Sequence, residues 1–289
     1  MRKSILAIVF TACIGTAFAS AADDAKALAE KGDAAAQFRY AEMLREGRGV
    51  AKNVRDAVAW TRKAADGGLA AAQYQMGLFC AEGRGVRRDE REAAEWFKKA
   101  AEQNHVEAQY RYGAMLRDGR GVMKDVREAS EWIRKAAVAG QTDAQCQMGL
   151  FYLNGIGVSH DDDKAVEWLE KAAKKNHGQA QFNLGVYYAR FSDNESVRLA
   201  LKWLNEAVKQ DIAGAEYSLA QLYLNPHHPA SRDPSAGRRA IALLNRAAAQ
   251  GHAGAKAKLE ELGRAAPQLQ DDLNELKQRE NATFINNSF

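Results

Sequence analysis

Few side chains in this 289-residue sequence suit catalysis, and their spacing limits what they can do. A metal centre needs imidazoles, thiolates or carboxylates that converge on one point. The densest such group is His227 and His228 with Asp233 nearby, in a stretch from Asn225 to Ser235 rich in proline. Adjacent histidines flanked by prolines read as solvated loop residues, so no metal ligand is assigned. The run Asp161-Asp162-Asp163 lacks the alternating ligand spacing of a calcium loop. It suits the start of a helix instead, where negative charge is favoured. His105, His177 and His252 recur at one point of an internal repeat, which spreads them over different copies. Cys80 and Cys146 occupy different positions in repeats that are not neighbours, beyond the reach of a disulfide, and are expected to be buried thiols. No Ser-x-x-Lys pattern occurs, and each Gly-x-Gly follows a helical pattern rather than the strand a nucleotide loop requires. No catalytic residue and no cofactor is assigned.

Composition narrows the class further. Hydrophobic residues fill 46% of positions and charged residues 27%, which excludes disorder. With 4 prolines and 3 cysteines, a proline-rich linker or a disulfide scaffold is excluded too. Abundant alanine suggests helices. The formal net charge is +4, but Arg2 and Lys3 belong to a leader, and the remainder is nearly balanced, so nucleic acid is not an expected partner.

Residues 1–21 carry the pattern of a secretory signal: a basic start, an apolar run from Ile5 to Ile14, and small residues ending in Ala17-Phe18-Ala19 or Ala19-Ser20-Ala21. The run is shorter than the roughly 20 residues of a permanent span. A periplasmic or secreted chain with no transmembrane segment is therefore expected. Lipidation at Cys13 fits less well, because Phe10 precedes it by three and the sequence after it stays apolar.

The side chains that matter are positioned by a repeat. Trp60, Trp96, Trp132, Trp168 and Trp203 mark a period of 36 residues, 35 in the last interval. In register with them run Gly47 and Gly49, Gly83 and Gly85, Gly119 and Gly121, and Gly155 and Gly157, each pair the two glycines of a Gly-x-Gly-Val. Ala-Gln recurs at Ala36-Gln37, Ala72-Gln73, Ala108-Gln109, Ala144-Gln145 and Ala180-Gln181, and Leu243 takes the Trp place in a sixth copy. Within one copy, Ala72, Met76, Phe79 and Cys80 lie on one face of a first helix, A. Gly83 and Gly85 end it. Asp89 caps a second helix, B, with Glu92 three residues on as in a capping box. Ala93, Trp96, Phe97, Ala100 and Ala101 form its apolar stripe. Small residues such as Gly77 let the helices approach closely, with the Trp between them.

Stacking of such pairs makes one continuous core, giving an all-α, right-handed α-solenoid of antiparallel helix pairs. The expected organisation is a signal at 1–21, an N-terminal cap helix at 22–33, a solenoid over 34–252 with units near 34–69, 70–105, 106–141, 142–177, 178–212 and 213–252, capping helices over 253–280, and a flexible tail at 281–289. The stack is expected to be less regular over 190–240, where the Gly-x-Gly loop is lost.

Two columns on helix A could bind a partner. The first holds Phe38, Tyr74, Tyr110, Cys146, Phe182 and Tyr217; the second holds Arg39, Gln75, Arg111, Gln147, Asn183 and Ser218. If the first column lies on the concave side it is an aromatic ladder of the kind that anchors a protein or peptide; otherwise it is packing between repeats. A third ladder, Arg48, Arg84 and Arg120, sits beside Glu46, Glu82 and Asp118, which favours self-neutralisation.

The recurring Ala-x-x-x-[Leu/Met/Tyr]-Gly, Gly-x-Gly-Val, acidic cap, Ala-x-x-Trp and Lys-Ala-Ala resemble the Sel-one-like repeat (SLR), a branch of the tetratricopeptide superfamily, over residues 34–252. The resemblance implies a non-enzymatic adaptor or scaffold of the bacterial envelope that binds a protein or peptide on its concave face, acting as a monomer. A more specific version is a periplasmic immunity protein that blocks a secreted toxin or phospholipase. The rival class, a β-lactam-hydrolase type of enzyme, is implied by cysteine-rich relatives, whose cysteine pairs are missing here.

Overall fold

The computed structural model describes residues 21–265. Residues 1–20 of the signal expected over 1–21, the helix expected after Pro267 and the expected tail at 281–289 lie outside the described residues, while Ala21 is the first residue of a helix. Regular structure among the described residues is helical: α1 (21–30), α2 (Ala34–Glu46), α3 (Val54–Asp66), α4 (Ala70–Glu82), α5 (Glu90–Glu102), α6 (Val106–Asp118), α7 (Val126–Val138), α8 (Thr142–Asn154), α9 (Asp162–Lys174), α10 (Gly178–Tyr188), α11 (Asn194–Val208), α12 (Ala213–Leu224), α13 (Ala236–Ala249) and α14 (Ala253–Ala265), with a short 3-10 turn at Pro229–Arg232. The chain is an all-α solenoid of stacked helix pairs, divided into two compact units after Ala165.

In the first unit α2 pairs with α3, α4 with α5 and α6 with α7, while α3, α5 and α7 pack on the A helix that follows each. The apolar stripes read from the sequence are the buried faces: Ala72, Met76, Phe79 and Cys80 on α4, and Ala93, Trp96, Phe97, Ala100 and Ala101 on α5. Close approach depends on residues without a side chain. A Cβ on Gly77 would lie 2.5 Å from the Phe97 ring, and one on Gly113 would lie 2.7 Å from Ile133.

The turns between A and B follow from backbone chemistry. Gly83 adopts φ +71° and its N–H closes on the Phe79 carbonyl, the left-handed stop that glycine permits. Gly121 has a second duty: a Cβ there would lie 2.1 Å from the Glu90 carbonyl oxygen, so this loop rests directly on the first turn of α5 in the preceding copy. Asp89 Oδ1 caps α5 by accepting from the N–H groups of Arg91 at 2.9 Å and Glu92 at 3.0 Å. The expected capping box is not completed. Glu92 instead accepts from Trp96 Nε1 at 3.3 Å and pairs with Arg62 at 2.8 Å, because a buried indole N–H one turn away needs an acceptor. Glu128 and Trp132 repeat this contact at 3.1 Å.

The recurring glutamine links consecutive copies. Nε2 of Gln37, Gln73, Gln109 and Gln145 donates to the carbonyl oxygens of Ala29, Ala65, Ala101 and Ala137, at 3.1, 3.2, 3.3 and 3.1 Å. Each bond ties an A helix to the end of the helix before it, and gives a second donor to a carbonyl that already accepts a turn N–H, from Gly32, Gly68, Asn104 and Gly140 respectively.

In the second unit α10 pairs with α11 and α12 with α13, with α11 on α12 and α13 on α14. Gln181 repeats the clamp on Ala173 at 3.2 Å. The sixth copy carries Glu216 in that place, fully buried. A carboxylate cannot donate to a carbonyl, and Glu216 turns to Arg246 Nη2, 2.8 Å away, and to Gln250 Nε2 at 3.1 Å. Burial pushes its pKa upward. The proline-rich insertion forms the 3-10 turn, which packs on α12 and α13. His227 is exposed, as expected of a solvated loop, but His228 is buried and its Nδ1 accepts from the Ala230 N–H at 3.2 Å. Asp233 accepts from the N–H and hydroxyl of Ser235.

Candidate functional site

The two helix A columns differ in what surrounds them. Phe38, Tyr74, Tyr110, Phe182 and Tyr217 are all half-buried, and Cys146 is buried. Tyr74 stacks on His105 with ring centroids 4.6 Å apart and also meets Phe97 at 5.7 Å. Tyr217 stacks on His252 in the same way at 4.6 Å. Phe182 lies close to the backbone of Gly214. Burial, with Asp143 as the next cause, raises the Tyr110 phenol above its ordinary range. Tyr74, Phe182 and Tyr217 thus each meet the start of the next A helix, at His105, Gly214 and His252.

The neighbouring column is more open. Arg39 and Arg111 are exposed and Gln75 is half-buried. Among the described residues neither arginine has a carboxylate within ion-pair distance, whereas Arg48 pairs with Glu46 at 2.6 Å and Arg84 with Glu82 at 2.7 Å. The loop ladder is thus self-neutralised as its neighbours suggested, most loosely at Arg120. That residue pairs with Asp118 at 3.7 Å, while Arg117 donates to the two Asp118 oxygens at 2.7 and 3.0 Å. The Arg117 guanidinium holds the Asp118 carboxyl below its ordinary range.

Between α4 and α6 lies a small cleft of about 170 Å³, lined by Leu78, Ala81, Glu82, Arg88, Glu90, Phe97, Arg111, Met115 and Arg120. A wider and shallower depression of about 490 Å³ lies by Arg91, Glu95, Gly119, Gly121, Val122 and Met123. Sequence reasoning placed Arg111 and Arg120 on separate ladders; the fold brings them to one opening.

The groups suited to chemistry have structural occupations. Burial, followed by the charge of Glu92, pushes the Cys80 thiol up to about 12, far from a nucleophilic thiolate. Cys80 and Cys146 are both buried and form no disulfide. Nδ1 of His105, His177 and His252 accepts the N–H of Ala108, Ala180 and Ala255, at 3.3, 3.1 and 3.1 Å, so each imidazole is the N-cap of an A helix. Asp161 caps α9 by accepting from the Lys164 N–H at 2.9 Å. Trp60, Trp96 and Trp132 each carry a lysine ammonium on the ring, Lys63 at 3.9, Lys99 at 4.2 and Lys135 at 3.8 Å. In the second unit Lys171 does the same over Trp168 at 4.1 Å. Trp203 has no glutamate one turn back, where Leu199 stands, and its indole Nε1 is buried without a hydrogen-bond partner. Among the described residues no three histidine, cysteine or acidic side chains gather as a metal site would require.

The repeat family is decided by direct comparison. The Sel1 repeat matches six times in succession, over residues 34–69, 70–105, 106–140, 142–177, 178–212 and 213–252. The chain is a Sel1 repeat protein. Among solved structures, a protective antigen with an SLR fold from uropathogenic Escherichia coli is 32% identical, with a TM-score of 0.77 over 86% of this chain and 52% of the antigen. This Sel1 repeat chain therefore spans about half the length of that relative. A Sel1 repeat protein from Oxalobacter formigenes is 33% identical, with a TM-score of 0.63 over 75% of this chain and 85% of the other. An immunity protein from Pseudomonas aeruginosa matches more loosely, at 22% identity and a TM-score of 0.39 over 74% of this chain and 82% of that one. Among curated proteins none matches. Sel1 repeats typically serve as protein-interaction scaffolds rather than enzymes. No helix among the described residues is long and apolar enough to cross a membrane.

Proposed function

We propose that this Sel1 repeat protein is a non-enzymatic scaffold of the bacterial envelope that holds a protein or peptide partner on the surface of its A helices. In the first unit the candidate contacts are Arg39, Gln75 and Arg111, with the half-buried Phe38, Tyr74 and Tyr110 beside them in the sequence; in the second unit, taken by itself, they are Phe182 and Tyr217. One observation carries the reading. Among the described residues Arg39 and Arg111 stand exposed without a carboxylate in ion-pair distance, beside half-buried aromatic residues, while Arg48 and Arg84 of the adjoining loops are matched by Glu46 and Glu82. Guanidinium groups beside aromatic edges supply both charge-assisted hydrogen bonds and apolar contact, the combination enriched at the energetic centres of interfaces. The leader pattern at 1–21 supports action outside the cytoplasm.

Replacing Arg39 and Arg111 together by glutamate inverts that charge without touching a buried contact. Capture of a partner from periplasmic extract, compared side by side for the two proteins, should fall by about tenfold or more, with unchanged helicity by circular dichroism. Equal capture by the variant would remove this surface from consideration.

A further inference from the structure

We propose that the cleft between α4 and α6 receives the side-chain carboxylate of an acidic residue in the partner polypeptide, with an apolar neighbour of that residue seated on its floor. The proposal rests on the reading that the A helix surface binds a polypeptide, and it names the chemistry bound there.

Charge is the first ground. Arg88 in the cleft is matched by Glu90 at 2.5 Å, and Glu82 by Arg84 at 2.7 Å. Arg120 is left at 3.7 Å from an Asp118 whose two oxygens Arg117 already occupies. Arg111 has no carboxylate partner among the described residues. The opening therefore presents one guanidinium without a carboxylate, Arg111 on α6, and one held only by a long ion pair, Arg120 in the loop that follows it. Two such groups can engage the two oxygens of one carboxylate, as a planar donor fork favours.

Size and lining are the second ground. At about 170 Å³ the cleft is smaller than pockets for small molecules, which begin at roughly 300 Å³. It has room for a side chain. Leu78, Phe97 and Met115 supply an apolar floor beneath the charged rim, so a carboxylate adjoining a leucine- or phenylalanine-like residue fits both parts.

The test uses the full chain as bait for a random dodecapeptide phage library, with recovered peptides synthesised and titrated by fluorescence polarisation. Recovered peptides are expected to be enriched in Asp or Glu next to an apolar residue. Changing that acid to its amide, or R111Q with R120Q in the protein, should each weaken binding about tenfold, as loss of charge-assisted hydrogen bonds implies. The two changes together should cost little more than either alone, and raised salt should weaken only the acid-containing peptides. Peptides without acid enrichment, or binding unaltered in the double variant, would overturn the carboxylate cleft and leave the polypeptide-binding reading standing. Recovery of no binding peptide at all would overturn both. Circular dichroism of the double variant guards against misfolding, to which these two exposed residues contribute little.

Discussion

Gly77 and Phe97 show how much of this molecule depends on single atoms. The ring occupies the space a methyl group on Gly77 would need, 2.5 Å from the position of its Cβ. At the same register of the first copy stand Ala41, buried, and the smaller Thr61. Gly77→Ala should therefore destabilise the protein by about 1–3 kcal/mol through overpacking, despite alanine's better helix propensity. Phe97→Thr should also cost stability, but the two losses should be less than additive in urea denaturation, since the first copy carries that pair. Strict additivity would mean that the two side chains do not compete for the same volume. The sequence already placed Gly77 at a helix contact, because glycine recurs there with the repeat. What it could not show was the opposing atom. Likewise Arg111 was legible as a surface residue from its column, but the closer hold of Arg117 than of Arg120 on Asp118 was not, since both arginines flank that carboxylate in the sequence.

At the scale of the element, a cap decides where each A helix begins. Three A helices start on an imidazole whose Nδ1 must be unprotonated to accept, and α8 starts on Gln141, whose side chain accepts from the Ala144 N–H without titrating. Burial lowers the pKa of His105 despite the nearby carboxylate of Glu107. The sign follows directly: the unfolded chain takes up the proton first, so the contribution of His105 is present above the ordinary histidine range and is lost as pH falls through it. Wild-type protein should lose more stability between pH 7.5 and 5.5 than H105Q, which keeps a cap of the kind seen at Gln141. Identical pH dependence of the two denaturation midpoints would show that the cap is not coupled to this proton. Helix positions were readable from the tryptophan and glycine period, and the acidic caps from residue type. The histidine caps and the glutamine clamps were not, because a side chain reaching a backbone N–H three residues on, or a carbonyl eight residues back, leaves no signature in residue type. Glu92 was misassigned for the same reason: its partner is an indole a turn ahead, not the N–H behind it.

For the molecule as a whole, six copies of one sequence unit make a repeated surface, and the differences between copies carry whatever specificity it has. The buried positions change little: alanine, glutamine and glycine recur because each fills a fixed gap or bond. The column Arg39, Gln75, Arg111 and Gln147 varies in charge on the same scaffold, which is how a solenoid distinguishes partners without altering its fold. The family and the stack were thus open to reading from spacing alone, whereas the partner-facing chemistry emerges only when ion pairs are assigned. On this reading the A helices, not the B helices, hold the partner. A photo-crosslinking residue placed at Gln75 or, as a control, at Arg134 on the exposed side of α7, tests it in cells. One discrete crosslinked species is expected from position 75, weakened by Arg111→Glu, and none from position 134. The same species from position 134, or its undiminished yield when Arg111 is replaced, would contradict this reading.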